Sequence, residues 1–237
     1  MEVIRATTTH EAMRMAGETL SHELINKADR PALLLVSGGS SLAVLDTMSD
    51  VAVRANMQIG QIDERWTKYD RDLNAYTYKK TDFAKILSER GIPFVPIDTT
   101  FAQSAMESAQ NYEDYLKRWR GLFSNGLVVG LFGIGTDGHI AGILPFPNQK
   151  EMFEQTFLNT RQWYAGYDTG AVGSFPTRIT MTLHALMQEV DMSVVYVSGE
   201  EKREALRRTL LPDGSLHETP ARILNETKNV HLFTDIQ

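Results

Sequence analysis

The sequence predicts an α/β fold: a doubly wound, mostly parallel sheet flanked by helices, with a small irregular or antiparallel insertion. Three observations predict it. Short β-rich apolar runs recur along the chain, and stretches of helical composition lie between most of them, the alternation that βαβ units require. The third is size, since 237 residues with 42% hydrophobic content can fill one substantial core. A single domain over residues 1–237 is therefore expected.

Taken in order, Glu2 to Arg5 reads as a short edge strand. Thr8 followed by Glu11 has the capping-box spacing, which starts an amphipathic helix running to about Ala28. The apolar runs Ala32 to Val36, Met57 to Ile62, Phe94 to Ile97, Leu127 to Ile134, Ser193 to Val197 and Val230 to Phe233 are the expected strands. Leu42 to Met48, Ala102 to Trp119 and Glu200 to Leu210 are the expected helical stretches. Glu151 to Val172 is mixed and aromatic, and is expected to form the insertion. No repeat or low-complexity tract interrupts this Rossmann-like order.

Composition excludes several classes of function. There is no cysteine, which removes disulfides, thiolate metal sites and cysteine nucleophiles together. The six histidines are scattered without metal-ligand spacing, so no metal is expected. A net charge of −6 argues against nucleic acid as a partner. No run approaches the roughly 20 apolar residues of a membrane helix, and the first residues are acidic and polar where a signal peptide is apolar. The expectation is a cytoplasmic protein with no membrane partner, present as a monomer or small homo-oligomer.

In such sheets ligands sit at the carboxyl ends of the strands, so the segments that follow strands carry the functional reading. Ser37-Gly38-Gly39-Ser40-Ser41 follows the first buried run. Its glycines free backbone N–H groups to face an anion, and its hydroxyls add donors. Alone, the turn fits a phosphate cradle and a tight serine-capped turn equally. Asp63-Glu64-Arg65 leaves the next buried run and reads alone as a site or as a surface ion pair. Gly133-Ile134-Gly135-Thr136-Asp137-Gly138-His139 contains G-x-G-x-x-G, but Pro145 and Pro147 stop any long helix from following, so a dinucleotide turn is not expected. What remains is His139 among small residues with Asp137 two positions earlier, either a proton carrier or a capped loop histidine. Arg178 and Lys202 are late cations suited to phosphate, and neither is specific alone.

Together and in this order, these segments resemble the 6-phosphogluconolactonase and glucosamine-6-phosphate deaminase superfamily. Its S-G-G-S-T, D-E-R, G-x-G-x-D-G-H, R-x-T-x-T and G-x-x-K patterns are similar to Ser37–Ser41, Asp63–Arg65, Gly133–His139, Arg178–Thr182 and Gly199–Lys202. The sequence departs from the lactonase pattern at Leu42, Leu73, Ile140, Gly142 and Leu144. The deaminase pattern D-G-H-I-A-F-N-E-P places a glutamate where this chain has Leu144.

The resemblance implies hydrolysis of 6-phosphogluconolactone, a phosphorylated sugar lactone, by a mechanism that requires neither a metal nor an organic cofactor, with His139 as general base and Asp137 or Asp63 orienting it. It implies Arg65 on the developing oxyanion or the sugar hydroxyls. Phosphate would rest on Gly38, Gly39, Ser40 and Ser41 between Arg178 and Lys202. Two alternatives stand beside it: a deaminase or isomerase, which needs a second acid at Leu144, and a non-catalytic sugar-phosphate sensor on the same fold.

Overall fold

A computed structural model describes residues 1–170 and 175–237. In chain order its elements are β1 (Glu2–Arg5), α1 (Thr9–Asn26), β2 (Ala32–Val36), β3 (Met57–Gln61), β4 (Asp63–Arg65), α2 (Asn74–Lys79), α3 (Asp82–Glu89), β5 (Phe94–Val95), α4 (Ala105–Leu122), β6 (Leu127–Gly133), α5 (Lys150–Phe153), β7 (Tyr164–Asp168), β8 (Thr177–Met181), α6 (Leu183–Glu189), β9 (Met192–Val197), α7 (Arg203–Leu210) and β10 (Val230–Thr234).

Seven strands form one sheet in the order β1-β10-β9-β6-β2-β3-β5, and every pairing in it is parallel. The central strands are apolar without alternation because both faces are covered. Leu33, Leu35, Val128 and Phe132 point into one apolar core with α4, and Leu34, Val36, Val129 and Leu131 into a second with α1. Helix α1 supplies Ala12, Ala16, Leu20 and Leu24 to that second core, the i, i+4 stripe its sequence predicts. No helix among the described residues is long and apolar enough to cross a membrane.

From β2 the chain builds outward to β3 and β5 on one side, and β6, β9 and β10 fill the other. The crevice between the carboxyl ends of β2 and β6 is thus the switch point where doubly wound folds bind ligands.

A second sheet of three antiparallel strands, in the order β4-β8-β7, is the expected insertion with additions from outside it. Residues 151–158 wind through α5 and a wider π turn before β7, and Ala171 and Val172, the end of the expected insertion, lie outside the described residues.

Three local expectations differ. Asp63–Arg65 is a strand, not a loop, because the chain changes sheets at Ile62: its N–H donates to Val36 O at 3.0 Å and its carbonyl accepts from Met181 N at 2.8 Å. Arg178 is likewise held in β8 and not in a loop. The expected helical stretch Leu42 to Met48 is a 3-10 segment, Gly39–Thr47, wound tighter than an α-helix, and Met48 is already extended.

Candidate functional site

The carboxyl ends of β2, β3, β6 and β9 open into a cleft of about 340 Å³ whose wall includes Gly38, Gly39, Ser40, Asp63, Arg65, Asn74, Gly135, His139, Gly142, Arg178 and Lys202. Residues spread from 38 to 202 therefore meet at the switch point.

The histidine loop starts where β6 ends. Gly135 N donates to His139 O at 3.0 Å and Gly138 N to Gly135 O at 3.0 Å, closing a tight turn with Gly138 at φ +91°. No helix follows it until α5, in keeping with the rejection of a dinucleotide turn. Asp137 Oδ1 accepts from the His139 amide at 3.0 Å and lies 2.7 Å from the ring Nδ1. Partial burial pushes the Asp137 carboxyl up, but the hydrogen bonds from His139 and its charge outweigh this and hold it below the ordinary carboxylate value. An ionised partner on Nδ1 fixes the tautomer that leaves a lone pair on Nε2, which has no protein partner among the described residues. Arg208 Nη2 donates to Asp137 O at 3.0 Å and Ala221 N to Gly138 O at 3.0 Å, bracing the loop from behind.

Of the two carboxylates expected beside the imidazole, Asp137 makes the contact. Asp63 lies across the cleft, 6% exposed, accepting at Oδ2 from Asn74 Nδ2 at 3.0 Å. Its carboxylate presses on Gly142, where a Cβ would fall 2.8 Å from Oδ2 and where φ is +72°. Only glycine fits there without strain. The neighbouring carbonyls are tethered from the small sheet: Thr180 Oγ1 donates to Ala141 O, and Tyr167 Oη donates to Gly142 O at 2.5 Å. The second sheet thereby holds the far end of the histidine loop.

Glu64 turns away from the cleft. Both its oxygens are surrounded by donors: Oε1 accepts from Arg65 N at 2.8 Å and Asn74 N at 2.7 Å, and Oε2 from Gln61 Nε2 at 2.8 Å and Ala75 N at 2.9 Å. Burial pushes its carboxyl above the ordinary value, and these donors limit the rise. The residue anchors the N-terminus of α2 to β4.

Three cations face the cleft. Arg65 and Arg178 stand opposite each other in the β4–β8 register, like charges that repel unless an anion lies between them. Arg65 Nη1 donates to Asp72 O at 2.8 Å, its guanidinium lies 5.2 Å from the Phe175 ring centre, and the Nε of each arginine has no acceptor among the described residues. Lys202 comes from the turn after β9 and donates to Ser40 Oγ at 3.1 Å. Burial lowers the Lys202 pKa, against a pull from Glu201. Ser41 departs from expectation: it is fully buried, and its hydroxyl donates to Gly38 O at 3.2 Å in the wall behind the turn. No group of three or more potential metal ligands occurs among the described residues.

Sequence reasoning sees Asn74 downstream of Asp63-Glu64-Arg65 but gives it no role. It is 3% exposed, orders Asp63 through its Nδ2, and lays its Oδ1 against Gly38. The available signal was a lone amide at the start of a helix, thirteen residues beyond the buried end of β3.

A family model described as glucosamine-6-phosphate isomerases/6-phosphogluconolactonase matches residues 6–233. The chain belongs to this family. Its members are enzymes of sugar-phosphate metabolism. The chain is 25% identical over 238 residues to a glucosamine-6-phosphate deaminase of Bacillus thuringiensis (strain Al Hakam), covering 98% of this chain and 86% of that one. In fold it is similar to the 6-phosphogluconolactonase of Plasmodium vivax, with a TM-score of 0.78, 17% identity and coverage of 99% and 90% of the two chains. The Trypanosoma brucei 6-phosphogluconolactonase gives 0.74, 21% identity, 98% and 95%. The family thus contains both activities named among these relatives.

Proposed function

We propose that the protein hydrolyses 6-phosphogluconolactone to 6-phosphogluconate. One observation carries the reading: the cleft offers an imidazole oriented by a carboxylate, His139 on Asp137, and the position where a deaminase keeps its glutamate is Leu144, 4% exposed in the apolar core. Ring opening and proton transfer between adjacent carbons need a further titratable group there, and an alkyl chain cannot supply it.

In this reading the phosphate rests on the Gly38, Gly39 and Ser40 turn, with Lys202 and Arg178 supplying charge. The lactone carbonyl then lies toward His139 and Arg65. His139 Nε2 takes a proton from water as the oxygen attacks the carbonyl carbon, and Asp137 stabilises the imidazolium that forms. Arg65 stabilises the oxyanion. Collapse breaks the bond between the carbonyl carbon and the ring oxygen, which receives the proton from His139. The product is an open-chain acid, and no covalent enzyme intermediate forms.

The deaminase reading is supported by the name of the sequence relatives, and the same experiment separates the two. Purified protein is given freshly made 6-phosphogluconolactone in one arm and glucosamine 6-phosphate in the other, with His139→Asn beside the wild type. The expected result is lactone hydrolysis well above the spontaneous rate, a loss of roughly 10²-fold in kcat for His139→Asn with little change in KM, and no ammonia. Ammonia release that scales with enzyme and disappears in His139→Asn would replace this reading with deamination.

A further inference from the structure

Lys202 is delivered to the cleft by a turn that is itself tied down by a carboxylate outside the cleft. Lysine is a point charge on a flexible four-carbon stem, so the backbone that carries it has to supply its placement. Here the backbone is the Ser198-Gly199 turn after β9, with Gly199 at φ +99° and Lys202 N donating to Gly199 O at 3.0 Å. Asp235, just past β10, holds that turn with both oxygens. Its Oδ1 accepts from Gly199 N at 3.3 Å; its Oδ2 accepts from Ser198 Oγ at 3.3 Å and from Thr9 Oγ1 at the start of α1. Ser198 Oγ also lies 3.0 Å from Thr9 Oγ1, closing a three-residue network.

We infer that Asp235 is a positioning residue for phosphate recognition, locking the Ser198-Gly199 turn so that the Lys202 ammonium stays on Ser40 beside the Gly38-Gly39 turn. The inference rests on Lys202 being a phosphate ligand, as proposed above. Slight burial pushes the Asp235 carboxyl up, but the donors from Thr9, Gly199 and Ser198 win and hold it below its ordinary value, as befits an ionised anchor.

The test is a double-variant cycle read by binding of inorganic phosphate and of 6-phosphogluconate, followed by kinetics on phosphorylated and unphosphorylated gluconolactone. Lys202→Ala is expected to weaken phosphate binding by roughly 10- to 150-fold, the range for a lost charged hydrogen bond. Asp235→Ala is expected to weaken it by about 3- to 10-fold, and to do nothing further once Lys202 is gone, because residues acting through one contact are not additive. KM for the phosphorylated lactone rises while kcat, and turnover of the unphosphorylated lactone, hold. Asp235→Asn, which keeps an acceptor for Gly199 N, falls between. Thr8→Ala, which removes the α1 cap without touching the turn, leaves phosphate binding unchanged. Additive losses in the double variant, equal losses on both lactones, or the same loss in Thr8→Ala would overturn the role of Asp235 alone. Unchanged phosphate binding in Lys202→Ala would overturn the phosphate reading together with it.

Discussion

Gly135→Ala isolates the imidazole geometry from the rest of the site. A Cβ on Gly135 would lie 2.1 Å from both Cε1 and Nδ1 of His139 and 2.8 Å from Asp137 Oδ1, where ordinary contact begins at 3.4 Å. The ring must move by more than 1 Å, and the Nδ1–Asp137 bond goes with it. The backbone at Gly135 is not left-handed, so alanine itself is tolerated there. The folding cost is then that of one half-exposed hydrogen bond, about 1 kcal/mol. A displacement of about 1 Å at a reacting group costs on the order of 10²-fold in rate. The expected variant is folded, with a urea midpoint close to wild type and kcat in lactone hydrolysis down by roughly 10²-fold. ¹⁵N NMR of His139 would show loss of the single tautomer that Asp137 enforces. A folded Gly135→Ala protein that retains near-full kcat would refute the claim that His139 acts from this position.

Glu64→Gln should destabilise the fold by about 2–4 kcal/mol, because any orientation of the amide turns an NH2 toward two N–H donors and orphans them. Gln61 cannot compensate by rotating, since its Oε1 already accepts from Ile97 N at 2.7 Å; a urea midpoint within error of wild type would contradict this. Asp137→Asn tests the sign of a titration. The Asp137 carboxyl is depressed in the fold, so the wild type gains stability over the variant above the ordinary carboxylate value and loses it as pH falls through the depressed one. A stability difference that stays level from neutral pH into the acid limb would count against an ionised Asp137.

What the sequence determined by itself is local. Runs such as Leu33-Leu34-Leu35-Val36 declare a strand covered on both faces, Thr8 and Glu11 declare a helix start, and the hydroxyls and glycines of Ser37 to Ser40 declare a tight turn after that strand. Each depends on neighbours a few residues away, where periodicity and turn chemistry are written directly into the residue order. The meeting of His139, Arg65 and Lys202 was also foreseeable, once those segments were placed at the carboxyl ends of parallel strands.

Only the tertiary structure decided which side chains touch. Asp63 and Asp137 are equal candidates in sequence, and packing gives Asp137 to the imidazole and Asp63 to Asn74 and Gly142. Glu64 reads as half of a charged cluster until α2 docks its N-terminus on it. Arg65 and Arg178 become partners only when the chain changes sheets at Ile62, and Thr180 and Tyr167 reach the histidine loop only from that second sheet. Apart from the local Asp137–His139 contact, such pairings join segments separated in the chain, and their register is set by how two sheets and their helices fill a common core, which no local pattern encodes.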